Sequence, residues 1–159
     1  MTTTLDIVDT AVKIGLGALI AGITSYVITL RNQGFERQKE IEVERRNLSK
    51  ELALTIEKTN HLIDESAFHF HQLDYQESKK CIISAEREIS SAGALANLLG
   101  SDDLVNAVDE MAELVFDIYK EFNKDSPDEG RLHDLDNDIK EKKKLVYPHI
   151  RDAYCAAST

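Results

Sequence analysis

His61, Glu65 and His69 stand at i, i+4 and i+8 of a segment with helical periodicity, so the three side chains share one helix face. Imidazole and carboxylate suit zinc or iron, which makes this the best metal-binding pattern in the chain. Diiron bundles repeat a Glu-x-x-His pair on two helices, and no such pair occurs here. A further ligand from the last helix would have to be His133 or Asp134. The expectation is therefore a solvated, helix-stabilising role for the three residues, with a metal-dependent enzyme as an alternative. Phe68-His69-Phe70-His71 sets aromatic and imidazole rings on successive positions. A helix must turn some of these outward, so core packing is expected, with a partner contact as the alternative.

A second cluster is basic: Lys140, Lys142, Lys143, Lys144 and Arg151. It has the charge to touch lipid headgroups, a phosphate-bearing ligand or RNA. The plainer expectation is the solvated side of the last helix, with Asp134, Asp136 and Asp138 offsetting the field. The whole chain carries a formal net charge of -10, so indiscriminate nucleic-acid binding is disfavoured. No hydrolase elbow, phosphate-binding glycine loop, zinc-protease motif or CxxC occurs, and the pattern calls for no cofactor. The two cysteines, Cys81 and Cys155, match no metal knuckle and point to a reducing compartment.

Most of the remaining signal lies near the N-terminus. Ile14–Leu30 holds 17 residues without a charge. As a helix they reach roughly 25 Å, the short end of a bilayer span, and Lys13 lengthens it by snorkelling. A cleaved signal peptide needs a basic lead and a small-x-small exit, whereas Asp6 and Asp9 precede this run and Val27-Ile28-Thr29-Leu30-Arg31 ends it. Arg31, Arg37, Lys39, Arg45 and Arg46 follow, against Lys13 alone before, so the positive-inside rule puts the C-terminal side in the cytoplasm. Gly15, Ala18, Gly22, Ser25 and Thr29 share one face of the run. Small residues let helices approach closely in lipid, so a homo-oligomer is expected. In a large enough ring the same face would line a pore with Lys13 at its mouth.

These side chains require an all-α chain. Residues 1–10 read as an external stub, 11–31 as the transmembrane helix and 32–47 as a charged helical neck with zero net charge. Residues 48–159 read as a cytoplasmic antiparallel four-helix bundle. Its first stripe is Leu48, Leu52, Ile56, Ile63, Phe70 and Leu73, with Asn60 inside it. The second helix is expected from about Ser78 to Leu99, capped by Gly100, and Ser101 caps the third. The third stripe is Leu104, Ala107, Met111, Leu114, Ile118 and Phe122. Ser126-Pro127-Asp128-Glu129 reads as a capping box with Pro at the first helical position. The last stripe is Leu132, Leu135, Ile139, Val146, Ile150 and Tyr154, with a kink at Pro148.

The small-residue span Ile14–Leu30, the charged neck Asn32–Asn47 and the helical remainder resemble, in layout, small membrane effectors of bacterial antiphage defence. They are similar in particular to CRISPR-accessory membrane proteins with a helical, HEPN-like cytoplasmic domain. Active ribonucleases of that class use an Arg-x4-His pair, and no Arg stands five residues before any of the five His. The resemblance implies an oligomeric, non-nucleolytic effector that perturbs the inner membrane when a phage is sensed. A membrane-anchored adaptor, docking a cytosolic protein on its acidic bundle, is the rival expectation.

Overall fold

A chain with seven Gly and two Pro in 159 residues has few points at which a helix must stop. The structure, a computed structural model, describes the backbone of residues 4–124 and 126–155 and the side chains of 21–124 and 126–155. Helix α1 spans Thr4–His71, α2 Tyr75–Leu99, α3 Asp102–Phe122 and α4 Glu129–Cys155. The described residues contain no strand, so the all-α expectation holds. The chain divides into two units, Met1–Ile41 and Glu42–Thr159.

In the first unit the described side chains are all exposed, Ile23, Tyr26, Val27, Ile28 and Leu30 among them. Among the described residues no helix is long and apolar enough to cross a membrane. The side chains of residues 14–20, the first part of the uncharged run, lie outside the described set, as does that of Lys13. Of the expected neck, 32–47, residues up to Ile41 belong to this unit and Glu42–Asn47 to the second. There Arg45 and Arg46 are half-buried rather than solvated. Arg45 donates to the Leu99 carbonyl at 3.2 Å, satisfying an orphan acceptor at the C-terminus of α2. Arg46 lies over the Tyr154 ring, 5.7 Å from its centroid.

The second unit is an antiparallel helical bundle. From the α1–α2 turn outward, Ser66 meets Ser78, Lys58 meets Glu88 and Arg45 meets the Leu99 carbonyl. Partners thus descend α1 while they climb α2. Between α1 and α4 the order is the same: His71 with Glu129, Asp64 with Lys140, Glu57 with Lys143. Between α3 and α4, Glu121 meets Asp128 and Glu110 meets Lys142.

Buried positions follow a three-four alternation that sets one stripe per helix toward the axis. On α1 they are Ser49, Leu52, Ile56, Thr59, Ile63 and Ser66; on α2, Ser78, Ile82, Ala85, Ile89, Ala92, Ala96 and Leu99. On α3, Val108 and Val115 are buried, while Ala107 and Leu114, expected in the stripe, lie half-buried beside them. The hydroxyls cost little to bury because each is bonded. Ser49 donates to the Arg45 carbonyl and Thr59 to the Thr55 carbonyl, both at 2.9 Å. Ser66 and Ser78 answer each other: Ser66 Oγ lies 3.0 Å from the Ser78 carbonyl, and Ser78 Oγ 2.8 Å from the Ser66 carbonyl.

Gly100 ends α2 at φ 69°, as its position predicts, and the Ser101 hydroxyl accepts from the Leu104 N–H at the start of α3. Several expected boundaries move. The second helix starts at Tyr75, not near Ser78, because Asp74 caps it by accepting from the Glu77 N–H. The last helix starts at Glu129, with Asp128 and not Ser126 as its cap, accepting from the Arg131 N–H. Pro127 therefore precedes the helix. Pro148 lies inside α4, which continues to Cys155. Tyr154, expected in the core, is exposed.

Leu73 is the clearest correction: it is 72% exposed and lies at φ 62°. Its N–H bonds to the Phe70 carbonyl, and the Asp74 N–H to the His69 carbonyl, which is the Schellman closure of α1. Glycine is the usual residue there, and a left-handed leucine carries strain of roughly 1–2 kcal/mol. Part of the gain from glycine is offset by its freer unfolded chain. Leu73→Gly is expected to stabilise the bundle by about 0.5–1 kcal/mol. Urea denaturation checks it, as a higher midpoint at unchanged slope.

Candidate functional site

The predicted residues fall at four places. On the small face, Gly22, Ser25 and Thr29 are exposed, and an added Cβ at Gly22 would meet nothing within 4 Å. Thr29 Oγ1 donates back to the Ser25 carbonyl at 2.9 Å, so its hydroxyl is satisfied within the helix. The surroundings of Gly15, Ala18 and Lys13 lie outside what the structure describes.

The basic cluster is spoken for. Lys140 bonds Asp136 at 2.7 Å on its own helix and Asp64 at 3.2 Å on α1. Lys142 pairs with Glu110 of α3, Lys143 with Glu57 of α1 at 2.6 Å, Lys144 with Glu141 and Arg151 with Asp152. Tyr147 also donates to Glu57. Lys143 and then Tyr147 hold the Glu57 carboxyl below the usual carboxylate range, against the opposing effect of partial burial. Burial and the same bond push the Tyr147 phenol up. The bond to Asp136 does likewise for the Lys140 ammonium. A phosphate or headgroup would have to displace a carboxylate at every one of these cations.

At the turn end of the bundle a cavity of about 490 Å³ opens between the helices. Ile63, Phe70, Ile82, Ile118, Phe122 and Leu132 form its apolar wall, and His71, Glu129, His133 and Asp136 add polar groups. Phe70 packs edge-on against Phe122 at 5.5 Å and Tyr75 at 5.4 Å. His71 Nδ1 lies 3.4 Å from Glu129 Oε1. Such a lining accommodates an apolar or amphipathic molecule. Below it, Glu121 is a buried carboxylate that closes the α3–α4 connection. Lys124 and the Asp128 N–H both bond it and hold its carboxyl below the usual range.

The expected His61–Glu65–His69 line is reorganised. Glu65 and His69 stay together, but the third side chain with them is Cys81 of α2, and ligand atoms of the three lie within 4.8 Å of one another. His61 is exposed and stands outside the group. Cys81 is buried, His69 half-buried and Glu65 exposed. Burial first, then Glu65 and Glu77, push the Cys81 thiol up. Sequence spacing along one helix misses Cys81 because it lies on the neighbouring helix. The cue was its place three residues after Ser78, one turn along from the serine contact.

Fold and site together define an all-helical protein with a four-stripe antiparallel bundle and a mixed sulfur, nitrogen and oxygen cluster. Comparison with known protein families, curated proteins and solved structures finds no match to this chain.

Proposed function

We propose that the chain is a single-span membrane effector, anchored through Ile14–Leu30 with its helical bundle in the cytoplasm. One observation carries the reading. The run Ile14–Leu30 has no charge, and Ile23, Val27, Ile28 and Leu30 in its described part are helical and at least half exposed or nearly so. Apolar helix surface of this kind needs lipid or further copies to cover it. The five basic residues after the run against one before it support an N-out, C-in orientation. The Gly22–Ser25–Thr29 face, continued by Gly15 and Ala18 in the sequence, supports self-association. The layout shared with antiphage membrane effectors supports perturbation of the inner membrane as the outcome, without catalysis.

A docking role is the second reading, and Phe68, Leu73 and Tyr75, exposed around the α1–α2 turn, favour it. Four measurements test the readings. The protein is expected to stay with membranes through alkaline carbonate extraction; release into the supernatant would end the anchor reading. Induced expression is expected to depolarise cells, and Gly22→Leu to remove that effect while shifting the detergent-extracted particle from oligomer to monomer. Binding of a cytosolic protein with unchanged membrane potential would replace effector by adaptor. A monomeric parent particle would sink the small-face argument.

A further inference from the structure

Glu65 and His69 are one turn apart on α1, and the antiparallel α2 brings Cys81 opposite them, so one ligand atom from each lies within 4.8 Å of the other two. We propose that Glu65, His69 and Cys81 form a binding site for a divalent transition metal of zinc type that bridges α1 and α2.

The donor set selects the class of ion. A thiolate with an imidazole and a carboxylate is the mixture zinc accepts, whereas magnesium and calcium take oxygen donors throughout. Bond lengths of about 2.0–2.1 Å to nitrogen and 2.3 Å to sulfur put neighbouring donors of a tetrahedral site roughly 3.4–3.8 Å apart. The group has at most roughly 1.4 Å to contract, a rotamer adjustment for ligands of this kind. The exposed Glu65 and the half-buried His69 are free to make it, while buried Cys81 is the fixed point. The backbone is already held at the right separation. Ser66, next to Glu65, and Ser78, one turn before Cys81, are locked by reciprocal bonds of 3.0 and 2.8 Å.

Three protein ligands leave a fourth position, and the exposure of Glu65 places it toward water. On binding, the sulfur–metal bond forms as the thiol proton leaves to solvent, so uptake of the ion releases one proton with no change of oxidation state. The site does not depend on the membrane reading.

Cobalt(II) is the probe, added to the full-length protein in detergent under a thiol-free reductant, in a Cys155→Ser background that leaves one thiol. One ion per chain is expected, with thiolate-to-cobalt charge-transfer absorption, and zinc should displace it. Loss of an outer-shell partner of a metal costs about 10–100-fold in affinity, so Glu65→Gln and His69→Gln should each cost no less. Cys81→Ser should abolish the charge-transfer band, and His61→Ala should leave it unchanged. Absence of the band in the parent, or cobalt binding that survives both Glu65→Gln and His69→Gln, would overturn the site. Those two variants alter side chains outside the core, so they keep the test decisive if Cys81→Ser fails to fold.

Discussion

Ile56→Ala is expected to lower the stability of the bundle by about 3 kcal/mol, while Leu54→Ala changes it by no more than about 0.5 kcal/mol. The two residues are neighbours on α1 and nearly identical in apolar content, so only position separates them. Ile56 is 0% exposed within the core cluster, and Leu54 is 70% exposed. Truncating Ile56 removes buried carbon and leaves a cavity that helices held by caps and interhelical hydrogen bonds close only in part. Truncating Leu54 removes carbon that already faces solvent. Urea titration followed by helical circular dichroism reads both, as a large fall in midpoint for the first and almost none for the second. Equal effects of the two would mean that the three-four stripe on α1 is misassigned.

Ser78→Val is expected to destabilise by about 2–4 kcal/mol, against about 1 kcal/mol for Ser78→Ala. Ser78 is fully buried between α1 and α2, where its hydroxyl donates to the Ser66 carbonyl at 2.8 Å. Alanine deletes that bond but fits the space, leaving one carbonyl and one hydroxyl with fewer partners. Valine deletes the same bond and adds two methyl groups against the facing backbone, so overpacking adds to the loss. Thermal unfolding distinguishes the pair. A valine variant as stable as the alanine one would show that the helices separate freely here and that the serines set no distance.

These two sites also mark what the sequence made legible. The existence of the helices, their number in the bundle and the Gly100–Ser101 punctuation followed from apolar periodicity and cap chemistry. The stripes were incomplete wherever a core position carries a small hydroxyl residue. Ser49, Thr59, Ser66 and Ser78 are all buried, yet no hydrophobic count finds them, because their bonds to backbone carbonyls neutralise the cost of burial. Leu73 failed in the other direction: its apolar side chain fitted the period, but the turn's backbone bonds set its conformation. At the metal cluster, Glu65 and His69 were readable from i,i+4 spacing. Cys81 was not, since pairing across helices depends on a register that one strip of sequence does not contain.

The lysines of α4 have a consequence beyond their small individual strengths. Exposed ion pairs add little to stability, commonly under about 1 kcal/mol each. Yet Lys140 and Lys143 reach acids on α1, and Lys142 reaches an acid on α3. Four helices with interchangeable apolar stripes have no preferred circular order, and packing alone would accept α4 in more than one place. The lysines favour one seat, because between α1 and α3 they meet carboxylates on both sides. Charge on this surface thus acts as an address label: it tells the last helix which two neighbours to join.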